Sequence, residues 1–308
     1  MAIVVGQIEP LKQLKKTFAQ KGIYRFGSIG DIKRFQTSYQ DEKAEIPILE
    51  RTSLEFEIER VKNKLEKLVI RSQKSNLSKL MCFFSIQALT KKHAYMTLNF
   101  EKILAKNIEK SIQSLDAVQK AVNDAAPIIA GAIGENQTVK VLSTLPDDFF
   151  LINDFSVRLA KPIYNRKDNE RIYSIQIDHL LVSKAGVFLI ETKNWSKQSV
   201  ERLDLRSPVS QVRRSSFALF VLLNSDNGVD VNKHHWGSAK IPIKNIVVMT
   251  RNKPNEQFKH IKILAVHELL GYIQYFDDVF SNEEVKQIFE HLCRLSGEKP
   301  VGRVRLYS

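Results

Sequence analysis

Residues 176–195 read QIDHLLVSKAGVFLIETKNW. Two apolar runs, Ile172 to Val182 and Val187 to Lys193, flank the segment Ser183-Lys-Ala-Gly186. Runs of this length and composition, bounded by a turn, read as strands. Gly186 supplies the positive φ that a tight hairpin needs. A chain with this pair at its centre has to build a sheet around it. Three residues break the apolar pattern: Asp178 near its start, and Glu191 and Lys193 near its end. Burying an unpaired charge is costly, so the three charges need a common reason.

Side chains alternate across a strand, so Glu191 and Lys193 project from one face. If the hairpin forms, Asp178 on the neighbouring strand reaches the space beside them. Two carboxylates converging at a sheet edge suit a hard cation such as Mg²⁺ or Mn²⁺, which takes oxygen ligands and keeps several waters. The backbone carbonyl of Thr192 could add a ligand. Such a cation activates water and stabilises charge on a phosphate, and the lysine can offset charge in the transition state. The set suits phosphodiester hydrolysis. The structural alternative is a strand end with an ion pair. Acid-x-lysine triplets also occur at Asp31/Lys33, Asp41/Lys43 and Glu284/Lys286, but in polar or amphipathic stretches. Only Glu191/Lys193 ends an apolar strand preceded by another strand with its own acid.

The hairpin sits inside a strand–helix alternation. A helix from about Ile128 to Leu145 carries Gly134-Glu135, and a strand follows at 149–157. After the hairpin, Ser207-Pro208 opens a helix to about Leu223. Strands follow at 245–250 and 261–266, a helix at 267–276, and a Ser281-capped helix to about Leu295. The fold class is α/β with a mixed sheet. Residues 1–125 read differently. Short helices fit 11–18 and 29–35, with Pro47 closing that region. Leu54, Ile58, Val61, Leu65 and Leu68 then line one helix face, as do Ile108, Ile112, Leu115, Val118 and Val122 on a helix over about 97–123. The expected organisation is a helical hairpin or bundle over 1–125, followed by an α/β domain over 126–308. The helical seams would suit a homodimer.

The 308 residues carry a net charge of +13, which favours polyanionic partners, nucleic acid first and acidic lipid second. Residues 1–125 hold 22 Lys and Arg against 14 Asp and Glu, so the helices are candidates for part of a nucleic-acid footprint. The apolar stretch Met81–Leu89 is far short of the roughly 20 residues that span a bilayer, and no signal peptide is legible. Cys82 and Cys293 lack metal-ligand spacing and read as reduced thiols of an intracellular protein. A cytoplasmic location with no membrane partner is the expectation. With no glycine-rich phosphate loop, any ATP-driven activity would come from a protein partner.

The order Gln176-x-Asp178-His179, glycine turn, apolar strand, Glu191-Thr-Lys193-Asn194 resembles the core motif of the nuclease-related domain, NERD, of the PD-(D/E)xK nuclease superfamily. Gly134-Glu135 is similar to that family's G-E pair, and Ser207-Pro-Val-Ser-Gln211 to its N-P-x-x-Q segment, with Ser for Asn. The resemblance spans roughly 127–280. It implies a restriction-endonuclease-like core and a Mg²⁺- or Mn²⁺-dependent nuclease, DNA favoured over RNA. It implies that Asp178 and Glu191 bind the metal, Lys193 assists the attacking water, and Glu135 is an accessory ligand or base. Gln176 and Gln211 would support the site or contact phosphate. Defence against foreign DNA, or repair, is the setting such nucleases suggest. A glycine frequent soon after the family's lysine is missing from Trp195-Ser-Lys-Gln-Ser-Val200, which leaves substrate shape open. The rival reading is a non-catalytic module that binds nucleic acid or a partner on the same fold.

Other residues have weaker claims. Arg213 and Arg214, early in the helix after the hairpin, and Lys197 are candidate phosphate contacts, as are Arg158, Lys161 and Arg166. Their alternative is simple solvation. His179 alternates to the face opposite Asp178 and reads as packed. His234-His235-Trp236 reads as a surface loop, and Trp195 as core packing.

Overall fold

The computed structural model describes residues 1–73, 76–195, 206–225, 228–229, 233–234, 237–238 and 240–297. They divide into two compact units, Met1–Ile29 with Ala125–Ser308, and Gly30–Asp124.

The first unit is built on a six-stranded mixed sheet. Its strands are β1 (Ile3–Val5), β2 (Phe150–Asn165), β3 (Glu170–Ser183), β4 (Gly186–Lys193), β7 (Ile243–Met249) and β8 (Ile261–Ala265), in that spatial order. A two-residue ribbon, β5 (Lys233–His234) with β6 (Gly237–Ser238), lies between β4 and β7 in sequence. The predicted hairpin forms: β3 runs antiparallel to β4 with Val182 opposite Val187 and His179 opposite Ile190. Gly186 has φ +118°, and a side chain there would come within 2.7 Å of the Pro242 carbonyl oxygen. β2 is antiparallel to β3, whereas β1, β7 and β8 add in parallel.

Val187, Phe188, Leu189 and Ile190 are all fully buried, which explains why the sequence shows a continuous apolar run rather than alternation. Burying each such side chain stabilises the fold by about 1.5–3 kcal/mol. Leu180, Val182, Val187 and Leu189 share one core with Val212, Leu219 and Leu223 of helix α6 (Arg206–Asn224) and with Ile288 and Leu292 of helix α8 (Asn282–Ser296). Ser281 caps α8 as predicted, accepting the Glu284 N–H in a capping box. Helix α5 (Ala126–Leu142) packs against β4. After β8 come a 3₁₀ turn, Val266–Glu268, and a short helix α7 (Leu269–Ile273).

The division at Asp124/Ala125 lies beside the expected one at residue 125, but the N-terminal end of the helical unit does not. The first 29 residues fold with the sheet: β1 pairs with β2, and helix α1 (Glu9–Gln20) packs on α5. A three-residue strand is too short to show any periodicity, so the sequence could not announce it. The strand expected at 149–157 continues to Asn165, with a register shift between Arg158 and Ile163.

The second unit is helical. α2 (Ile29–Ser72) is one 44-residue helix, about 66 Å long at 1.5 Å per residue. It replaces the expected pair of helices, because Pro47 lies inside it. An interior proline costs about 3 kcal/mol, but the surrounding residues 41–51 are rich in helix formers. The expected helix over 97–123 forms as α4 (Phe100–Asp124), and it is preceded by α3 (Asn76–Leu98), a helix the sequence reading did not include. Leu54 and Val61 of α2 pack with Met96 and Leu104. Contacts between Glu57 and Lys92, Arg51 and Glu101, and Lys43 and Asp116 show the antiparallel run of α2 against α3 and then α4. Leu80, Met81, Phe83, Phe84 and Leu98 of α3 are exposed.

Gly6 marks the path of the first segment. It has φ +81°, and a Cβ there would stand 2.4 Å from the Asn153 carbonyl oxygen. Gly6→Ala should lower the unfolding free energy by roughly 2 kcal/mol or more, read as a shift of the urea midpoint.

Candidate active site

The β3–β4 ladder ends at His179 and Ile190. One step further, a side chain takes the place of the backbone: the Asp178 carboxylate (Oδ2) accepts the Thr192 N–H at 2.7 Å. This bond holds Asp178 beside Glu191. The Lys193 ammonium donates to Glu191 Oε1 at 2.7 Å, and Glu191 is buried while Lys193 is partly exposed. β4 is extended at its far end by Thr250 N–H donating to the Lys193 carbonyl at 3.0 Å.

Glu135 arrives from α5, and Gly134 permits it. A Cβ on Gly134 would come within 2.8 Å of Asn194 Cβ. Asn194 itself clamps this approach, donating to the Ala130 carbonyl at 2.6 Å and accepting from the Thr250 hydroxyl at 3.0 Å. The G-E pair is therefore a close-approach glycine followed by the side chain it delivers. Thr192 lies under the same helix, with its hydroxyl 3.2 Å from that of Thr138.

These residues open on one cavity of about 380 Å³, lined by Glu135, Asp178, Glu191, Thr192 and Lys193 together with Gln176, Gln211 and Trp195. Asn194 and Glu9 line it as well. Gln176 Nε2 donates to Asp154 Oδ1 at 3.0 Å, and Lys12 Nζ pairs with Asp154 Oδ2 at 2.7 Å. Gln211 is exposed at the rim. Trp195 is half-buried and packs on the sheet core, as the sequence reading expected.

The charges are crowded. Burial, followed by the charges of Asp178, Glu9, Glu191 and Asp154, pushes Glu135 up to about 9. Burial and the neighbouring Glu191 push Asp178 up to about 7, against the opposing pull of Lys193 and the Thr192 N–H. Burial pulls Lys193 down, but the charges of Glu191 and Asp178 and the hydrogen bond to Glu191 outweigh it and leave the ammonium above its usual range. Glu135 Oε2 is buried with no hydrogen-bond partner among the described residues.

The donor set is all oxygen, which suits a hard cation. The orphaned Glu135 oxygen and the mutual repulsion of the acids are what such a cation would relieve. As placed, no group of three or more His, Cys, Asp and Glu side chains among the described residues could hold a metal ion. Direct coordination by one or two carboxylates with retained water is the mode this arrangement fits.

The remaining candidates separate cleanly. Arg214 is a strut: its guanidinium donates to Glu170 Oε1 at 2.6 Å and to the Ser174 carbonyl at 3.0 Å. Arg213 is exposed on α6 and does not line the cavity. Arg158, Lys161 and Arg166 are exposed along and just after β2, outside the cavity. His179 is fully buried, its Nδ1 2.8 Å from Asn153 Oδ1, and burial holds it neutral, at about 3. Lys197, His235 and Trp236 lie outside the described residues, as do the side chains of Ser207 and His234. The sequence reading missed Glu9, Lys12 and Asp154. Glu9-Pro10 marks a helix start, but nothing local says where that helix docks.

The acid-lined pocket with its single lysine stands at the end of a hairpin in a mixed sheet. Residues 130–250 match the family model of the nuclease-related domain, NERD. No curated protein and no solved structure matches the chain. Among the described residues, no helix is long and apolar enough to cross a membrane.

The two raised acids fix a pH dependence. Between the ordinary values of 4.5 and 3.8 and the folded values near 9 and 7, the native state binds more protons than the unfolded chain, so stability falls as pH rises. The cation-free protein should lose stability progressively from about pH 4 to pH 9. Glu135→Gln should flatten the upper part of that slope, as followed by denaturant unfolding across pH.

Proposed function

We propose that the sheet unit is a divalent-cation-dependent nuclease of the PD-(D/E)xK type, hydrolysing phosphodiester bonds, with DNA the favoured substrate. The observation that carries this reading is the shared cavity of Asp178, Glu191, Glu135 and Lys193, with a buried carboxylate oxygen on Glu135 that has no partner among the described residues. A net charge of +13 supports a polyanionic substrate.

Asp178 and Glu191 would hold Mg²⁺ or Mn²⁺, with Glu135 as the accessory acid. The cation, when bound, would supply an activated water and offset charge on the phosphate. Lys193 stays protonated at neutral pH, because its acidic neighbours favour the ammonium. Its contribution is then a fixed positive charge that orients the water and stabilises the phosphate, not removal of a proton. Gln211 at the rim and Arg213 two residues along the same helix are free to meet the nucleic-acid backbone, while Arg214 serves the scaffold. Gln176 acts through Asp154, steadying the strand that carries Asp178.

The 2.7 Å Lys193–Glu191 pair favours one rival reading, a structural ion pair in a module that only binds. The two make different predictions for the full-length protein with Mg²⁺ or Mn²⁺ on parallel DNA and RNA substrates. Asp178→Ala and Lys193→Ala should each cut cleavage at least about 100-fold with unchanged circular dichroism. Mn²⁺ should raise the melting temperature of the wild type, since a ligand of the native state must stabilise it. Nucleic-acid binding with neither cleavage nor stabilisation by Mn²⁺ establishes the binding module instead.

A further inference from the structure

α1 brings a carboxylate to the site from outside the matched domain. Glu9 stands in the first turn of α1, is half-buried, and lines the same cavity as Asp178 and Glu191. Its position is built, not incidental. β1 fixes the start of the segment against β2. Gly6 lets the chain pass over the Asn153 carbonyl, and the Asn153 amide donates back to the Gly6 carbonyl at 3.4 Å. Pro10, buried, faces Gly131 of α5, where a Cβ would lie 3.8 Å from its ring. Lys12, one turn on, grips Asp154. Glu9 is thereby set over the turn of α5 that runs from Gly131 to Glu135.

A helix start is an ordinary place for a glutamate, where it interacts favourably with the helix dipole. That role alone would not account for its surroundings. Glu135 is only 7% exposed, lines the same cavity, and keeps a carboxylate oxygen without a partner among the described residues. Two acids meet there from the helix side, while Asp178 and Glu191 stand on the strand side. A hydrated divalent cation has more waters than two carboxylates can replace, and those waters need acceptors.

We propose that Glu9 is an acceptor for the water shell of the divalent cation that Asp178 and Glu191 hold, so that residues 1–29 are part of the active site. This rests on the nuclease reading above. Glu9 positions the hydrated ion without coordinating it. Groups of this kind change metal affinity by about 10–100-fold when removed.

The test uses the full chain and Mn²⁺ alone, with binding followed by calorimetry and by thermal unfolding. Glu9→Gln should weaken Mn²⁺ binding about 10–100-fold, and Glu9→Asp should weaken it less. Without Mn²⁺, the melting temperature of Glu9→Gln should equal or exceed that of the wild type, because one repelling charge is gone. Unchanged Mn²⁺ affinity in Glu9→Gln, with binding abolished in Asp178→Asn, overturns the role of Glu9 and leaves the nuclease reading standing. A lower metal-free melting temperature with unchanged affinity assigns Glu9 to the helix dipole. A wild type that binds no Mn²⁺ overturns both readings.

Discussion

The close approach of α5 to the end of β4 is the constraint on which the site depends. Gly134 leaves room for Asn194, and Asn194 ties the helix to the strand through the Ala130 carbonyl and the Thr250 hydroxyl. Without that contact Glu135 would sit a side chain's width away and the cavity would be open to solvent on one side. With it, a carboxylate is pressed into a largely buried place. The cost of that burial appears as the strongly raised proton affinity of Glu135.

The same logic explains the end of the hairpin. A regular ladder would continue past His179 and Ile190 and would pair Asp178 with Glu191 as backbone partners. Instead the Asp178 carboxylate captures the Thr192 N–H, so that donor is satisfied by the acid itself. Asp178 is held by the backbone and Glu191 by Lys193. Both strand acids are therefore fixed before any ligand arrives, and the apolar residues between them, all fully buried, keep the spacing rigid.

Much of this was legible in the sequence because it is local. The strand acids, the lysine and the glycine turn fall within 16 residues, and the two-residue period of a strand fixes which side chains share a face. Gly134-Glu135 was legible as a pair, though only the structure gives the glycine its reason. Glu9 was not legible, because its place depends on a three-residue edge strand and on a helix docking across the chain. Arg213 and Arg214 looked alike in sequence and proved unlike in the fold, since a 100° step around a helix separates a strut on Glu170 from a free guanidinium. Pro47 misled for a related reason: residue-level helix breaking was overridden by a long run of strong helix formers and by the packing of Leu54 and Val61 further along α2.

Charge balance links these observations. The cavity gathers four carboxylates, from Glu9, Glu135, Asp178 and Glu191, around one ammonium. Were all ionised, the pocket would carry a threefold negative excess in a low-dielectric wall, so the fold must either take up protons or take up a cation. Protons are the default at neutral pH, on Glu135 above all. A divalent cation would displace them, so its affinity should rise with pH over the range in which Glu135 and Asp178 titrate. A site that only stabilised the sheet would gain more from apolar residues of the same size. On the proposed nuclease reading, the positive charge that four acids around one lysine lack would come from the cation they hold.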